Sequence, residues 1–293
     1  MDRLILGDNQ FFGVSHMSEE RGMERLRRFQ DDAEIIKVLD AAYDCGIHAF
    51  TFSTHDRVAN LCDHFRANPA RYADLRLYPV LPYAQKYAHL VNEKGVVGAV
   101  SDVLLADNSI SSMFGMLLRG SMALLTQDPL KVMTILVDAE MKMFRSLSLG
   151  AVFLQNNIAD LMLGMGVKDV FSAFADHVES KYKTRAGFMT LNMPKMAQML
   201  SAAGIQRPLI CSAVNKVGFQ MNPDIAAYER VLQSDSIDAM AMSVMAAGAV
   251  PPQEAFEYVT RFKGVKSVIF GASTKSNIAG TLATLNNLGW IGK

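Results

Sequence analysis

The chain has no surplus of either charge: 29 basic side chains stand against 29 acidic ones, so the net charge is zero. A nucleic-acid or anionic-membrane surface needs a clustered excess of Lys and Arg, and neither partner is expected. Cysteine is scarce as well. Cys45, Cys62 and Cys211 are odd in number and lack CxxC spacing. That argues against a disulfide framework and points to reduced, mostly buried thiols in a cytoplasmic protein. No apolar run approaches the roughly 20 residues of a membrane span, and the opening MDRLILGDNQ reads as too short and too polar for a signal peptide. The histidines (His16, His48, His55, His64, His89, His177) form no HxH or HExxH, so no metal is expected. GxSxG, P-loop and Rossmann fingerprints are missing too.

What the chain does have is apolar material, 50% of its 293 residues, enough for one large core. Short aliphatic or β-branched runs recur at RLILGD (3–8), HAFTFS (48–53), LRLYPVLP (75–82), GAVFLQ (150–155), RAGFMTL (185–191), LICSAV (209–214), DAMAMSV (238–244) and KSVIFG (266–271). Between them lie segments such as DDAEIIKVLDAAYDCG and PQEAFEYVTRFKG, with apolar residues at i, i+3, i+4 and i+7. Many open on Asp or Pro and stop at Gly, the expected helix punctuation. Eight strands alternating with helices predict an α/β protein, a single (β/α)8 TIM barrel over residues 1–293. A doubly wound open sheet suits the even spacing less well.

The interval from 83 to 149 is out of proportion. It offers helix-like material only, including SSMFGMLLRGSMALL and DPLKVMTILVDAEMKMF, and predicts a helical insertion over 84–149 between strands 3 and 4. The insertion reads either as an extra helical pair on the barrel, packing or mediating homo-oligomer contacts, or as a lid over the substrate. Its Met-rich surface would adapt to varied partners.

In such barrels the active site lies at the C-terminal ends of the strands. Strand 1 delivers Asp8, Asn9 and Gln10; strand 2 delivers Ser53, Thr54, His55 and Asp56; strand 4 delivers Gln155, Asn156 and Asn157; strand 5, Asn192; strand 6, Asn215 and Lys216. The rim is polar and rich in amides, which orient a neutral, oxygen-rich ligand but shuttle protons poorly. Asn9, Gln10, Gln155 and Asn157 are the candidate substrate contacts. After strand 8, Gly-Ala-Ser-Thr-Lys reads as an anion site at a helix N-terminus, with Lys275 adding a charge, or as an ordinary cap by Ser273 or Thr274.

Several segments resemble the aldo-keto reductase superfamily. LILGDNQFFG is similar to that family's opening strand, LDAAYDCGIHAFTFSTHD to its strand 2, GFMTLNMPKMAQML to strand 5, PLICSAVNKVGFQMNP to strand 6, and KSVIFGASTKSNIAGTL to its strand 8 with the loop that grips the adenosine phosphate of NADP. The resemblance implies a TIM barrel that reduces carbonyl compounds with NADP. It implies Asn192 on the nicotinamide amide, Gly271, Ser273, Thr274 and Lys275 around the 2′-phosphate, and Asn277 facing the adenine. The same alignment departs at the usual Asp/Tyr/Lys/His tetrad. Thr51 stands at the aspartate position, Asp56 at the tyrosine and Gln155 at the histidine, with no lysine closing strand 3.

With the tetrad altered, His55 and Asp56 are the candidate acid/base pair, or else the STHD segment simply caps a helix. Lys216 is the candidate for a Schiff base or an anion contact, or else a surface lysine. The expected function is an aldo-keto-reductase-like protein binding NADP or another phosphate-bearing small molecule, as an atypical oxidoreductase on a carbonyl or sugar-like substrate. The alternatives are a cofactor-independent lyase or isomerase on a phosphorylated or sugar-like carbonyl compound, and a non-catalytic binding protein.

Overall fold

The computed structural model describes residues 1–13, 19–82 and 129–291. Eight parallel strands close into a barrel in chain order: β1 (Leu4–Leu6), β2 (Ala49–Ser53), β3 (Arg76–Leu81), β4 (Ala151–Leu154), β5 (Arg185–Thr190), β6 (Leu209–Ala213), β7 (Asp238–Met242) and β8 (Val265–Phe270). All eight fall inside or within one residue of the expected runs, and β1 returns to β8 to close the ring, Ile5 opposite Ile269. Helices α1 (Glu19–Arg28) and α2 (Asp32–Asp44) follow β1, and α3 (Asp56–Ala67) follows β2. α4 (Pro129–Met141) precedes β4, while α5 (Asn156–Met165) and α6 (Asp169–Tyr182) join β4 to β5. α7 (Met193–Ala202), α8 (Ile225–Gln233), α9 (Pro252–Thr260) and α10 (Lys275–Asn287) complete the alternation.

Strand alternation sorts the apolar side chains into two cores. Ile5, Ala49, Tyr78, Val80, Phe153, Cys211 and Met240 fill the inside of the ring. Phe50, Phe52, Leu77, Leu81, Phe188 and Ile210 point outward into the larger cluster beneath the helices. Two bulky rings inside the barrel are matched by two glycines. A Cβ on Gly150 would lie 2.1 Å from Cζ of Tyr78, and one on Gly187 would lie 2.3 Å from Cε1 of Phe153. Phe153 and Gly187 are direct partners across the β4–β5 ladder, so the ring lies over the space that a side chain would occupy. Cys62 and Cys211 are buried and unbridged, and Cys45 is half-buried. Burial pushes the Cys62 thiol up to about 12, so it stays protonated and inert.

Of the segment expected as an insertion, 84–128 lies outside the described residues. The part from Pro129 onward is a helix that packs on β3 and α6, the position of a crossover helix in a barrel unit. Asp138 fixes it there, accepting from His177 Nε2 (2.7 Å), Lys181 Nζ (2.6 Å) and Tyr182 Oη (2.6 Å). Burial alone would raise the Asp138 carboxyl, but the bonds from Lys181, Tyr182 and His177 outweigh it and hold the group below the usual carboxylate range.

Two expectations follow from this packing. Gly187→Ala overfills the barrel and should cost about 1–3 kcal/mol in urea denaturation, with Phe153→Leu in the same chain recovering part of the loss. Asp138, with its folded-state value lowered, contributes stability above the unfolded value near 4 and loses it as pH falls through the folded one. Asp138→Asn should therefore melt below wild type at neutral pH, and the gap should narrow as thermal melts are taken below about pH 4.

Candidate functional site

The mouth of the barrel begins where β1 ends. β1 and β2 share one register pair, Leu6 with Phe50, and beyond it a side chain takes over. Asp8 Oδ2 accepts both the Ser53 N–H (2.8 Å) and the Ser53 hydroxyl (2.7 Å). Asp8 is only 8% exposed. Burial raises its pKa, and the two Ser53 bonds offset this only in part. Both bonds fall on Oδ2, so when the carboxyl is protonated its hydrogen sits on Oδ1. A buried carboxyl that keeps a proton longer than usual, at the C-terminal end of a barrel strand, is suited to acid/base work. Neighbouring Gln10 is buried and turns back on its own strand, Nε2 donating to the Gly7 carbonyl (2.5 Å), while Asn9 is exposed.

His55 caps α3. Its Nδ1 accepts the Arg57 N–H (3.2 Å), and its ring stacks on Phe12 with centroids 4.4 Å apart. With Nδ1 accepting, the neutral ring carries its hydrogen on Nε2, which makes that nitrogen a donor. Asp56 is exposed in the first helical turn, where the dipole favours a carboxylate. The segment therefore does cap a helix, and His55 and Asp56 are held apart in role, the first half-buried and the second in solvent. Thr51, at the aspartate position of the resemblance, spends its hydroxyl on the Tyr78 carbonyl (2.8 Å). Buried Thr54 donates to Glu140 Oε2 of α4 (2.5 Å), which ties the β2 mouth to the crossover helix.

On the opposite side, the β8 turn runs into α10. Thr274 is the N-cap, its hydroxyl accepting the Asn277 N–H (3.2 Å). Gly271 is exposed and close to strand 1: a Cβ there would lie 2.8 Å from Gln10 Oε1, so glycine lets the two loops meet. Ser273 and Thr274 are half-buried, and Lys275 and Asn277 are exposed. A second cation reaches the turn from α1, where Arg28 Nη2 donates to the Ser273 carbonyl (2.6 Å). This contact spans 245 positions, and no local sequence signal announces it.

The remaining candidates divide. Asn192 caps α7, its Oδ1 accepting from the Lys195 N–H (3.1 Å), which leaves the amide N–H groups as its donors. Gln155 is half-buried at the N-cap of α5, and Asn157 is exposed two residues on. Asn215 is fully buried and serves the backbone, accepting from Phe219 N and donating to Phe219 O (2.9 Å each). Of the two readings of Lys216, the geometry is that of the surface lysine: it is exposed and ion-paired with exposed Glu254, not enclosed in a dry pocket of the kind Schiff-base chemistry needs. The β7 mouth adds a feature that no sequence signal announced. Ser243, Ala246 and Ala247 take left-handed backbone conformations (φ 52°, 47° and 57°) without being glycine, a strain of the sort that clusters at functional sites.

No family pattern and no curated protein matches the chain. Solved structures do. A thermostable aldo-keto reductase solved with the inhibitor epalrestat superposes with TM-score 0.56 at 12% identity, over 98% of this chain and 90% of that one. An aldo-keto reductase from a Medee basin deep-sea metagenome library gives TM-score 0.55 at 10% identity, over 100% and 93%. An aldo-keto reductase of the silkworm Bombyx mori gives 0.54 at 13%, over 96% and 78%. The chain thus has the barrel fold of the aldo-keto reductases.

Burial of Asp8 makes the stability of the fold depend on pH. The carboxyl's folded-state value is raised, so ionisation of the buried group destabilises the fold above the unfolded pKa near 4 and costs nothing below it. Asp8→Asn, which can still accept both Ser53 bonds, should raise the melting temperature at pH 8. That advantage should vanish as melts are repeated below about pH 4.

Proposed function

We propose that the chain is a divergent aldo-keto reductase that binds NADP and reduces a carbonyl or sugar-like compound with a proton donor other than the family's tyrosine. Its support is the shared fold together with the sequence likeness at the β8 turn. One observation carries the reading: a helix N-terminus flanked by Lys275 and Arg28 sits at the same end of the barrel as two protonatable groups, Asp8 and His55. Backbone N–H groups at a helix start and two cations suit a phosphate monoester. The donor set therefore fits the 2′-phosphate, with Gly271, Ser273 and Thr274 as its backbone cradle and Asn277 beside the adenine.

NADP, when bound, supplies the hydride. What this chain adds is orientation and a proton. Asn192 spends its carbonyl oxygen on the α7 cap, so its amide N–H groups are available to the nicotinamide carboxamide. Gln10, Gln155, Asn9 and Asn157 offer directional hydrogen bonds at the rim. His55, with its hydrogen on Nε2, donates to the forming alkoxide, and the Phe12 stack keeps the ring in that orientation. Asp8 holds Ser53 in place and provides a second buried acid. Asp56, ionised and solvated, serves the helix dipole instead of the proton transfer. With Lys216 in an exterior ion pair, no observation favours the lyase reading.

Titration with NADPH, followed by its fluorescence, tests the proposal. Micromolar binding is expected, weakened about tenfold by Lys275→Ala and again by Arg28→Ala, each of which removes one charge-assisted bond. Absence of binding by the wild-type chain would sink the cofactor reading. Once a carbonyl substrate is in hand, His55→Asn should keep the α3 cap and cofactor affinity while lowering kcat by about 100-fold or more.

A further inference from the structure

The opposite end of the barrel carries charge that the fold does not use up. A cavity of about 540 Å³ opens at the N-terminal ends of β5, β7 and β8, and Arg3, Arg185, Arg207, Arg261, Lys263 and Lys266 all line it. Three carboxylates answer these six cations. Asp238 accepts from Arg185 Nη1 and Arg207 Nε (2.7 Å each), one on either oxygen. Asp235 takes Lys266 Nζ (2.9 Å) and Arg207 Nη2 (3.1 Å), and Glu229 takes Arg261 Nη2 (2.6 Å). These pairs stitch neighbouring strands together at the barrel floor and need no ligand to explain them.

Arg3 and Lys263 stand outside that scheme. Both are exposed, and neither has a carboxylate partner among the described residues. Arg3 is nonetheless held in place, its guanidinium 5.4 Å from the centre of the Trp290 ring. A guanidinium fixed on an aromatic face keeps its N–H fork for a planar or tetrahedral oxyanion at little entropic cost. Six cations answered by three carboxylates leave the cavity with a net positive potential, which an anion would relieve. The volume is that of a small-molecule site, and Trp290 and Phe262 supply its apolar wall.

We propose that this floor cavity is a second anion site, taking the phosphate group of a small metabolite between Arg3 and Lys263. It is separate from the β8 turn: Val265 at the start of β8 lines it, whereas Gly271 of the turn follows the other end of that strand.

The chain's single tryptophan is Trp290, in the cavity wall, so its emission reports occupancy of this site. The wild-type chain should be titrated with pyrophosphate and with a nucleoside triphosphate at low ionic strength, with thermal melts run alongside. A saturable emission change is expected, with a rise in melting temperature. Lys263→Ala should weaken it about tenfold and leave the fold intact, since that side chain is exposed and has no carboxylate partner among the described residues. Lys275→Ala, at the far end, should leave the affinity as it is. A response to both probes assigns the site to phosphate itself, and a response to the triphosphate alone assigns it to nucleotides; either supports the proposal. No saturable change and no thermal shift with either probe, or undiminished affinity in Lys263→Ala, would overturn it and leave a purely structural ionic ring. Abolition by Lys275→Ala would overturn it as well, by placing the binding at the β8 turn.

Discussion

A closed ring of eight strands must be filled from within, and everything else in this protein is arranged around that filling. Tyr78 and Phe153 occupy the centre because Gly150 and Gly187 vacate it. With the interior packed solid, a ligand has only the two ends of the barrel to choose from. The strands tie those ends to one another rigidly, so a group placed at a strand terminus is held by the whole ladder beneath it. That is why Asp8, two residues beyond the last register pair of β1, can be kept dry against Ser53.

The two ends solve the electrostatic problem differently. At the floor, Arg185, Arg207 and Asp238 neutralise one another in a partly solvated network, where ionised groups are cheap to keep. At the mouth, Asp8 is removed from water with only two neutral donors for company. A carboxyl so placed keeps its proton to higher pH than a paired surface carboxylate does, because burial disfavours its charged form. The protein thus keeps static charge below and titratable charge above.

The barrel was legible because its signal is local and repeated. HAFTFS, RAGFMTL and LICSAV each announce a strand by alternation and β-branched content, and eight such runs at even spacing define the closure. Two caps were legible for the same reason: Thr274 and the STHD segment each sit within a turn of the amide they accept. What escaped depends on chain-distant partners. Asp8 was one of several polar residues at a strand end until Ser53, 45 positions on, covered it. Arg28 looked like one more solvated arginine until Ser273 met it. Lys216 could not be oriented from sequence, because Glu254, whose position decides its direction, lies in the next crossover helix but one from its strand. The left-handed Ser243, Ala246 and Ala247 carry no glycine to mark them.

The bond from Arg28 to the Ser273 carbonyl links the end of α1, in the connection that follows β1, to the loop after β8, beside the seam at which the ring closes. The guanidinium is thus already engaged, so any further acceptor it took would gain only the difference between two hydrogen bonds and not the whole of one. One side chain thereby makes the two loops interdependent: whatever fixes Arg28 also fixes the Ser273 carbonyl, 245 positions away in the chain.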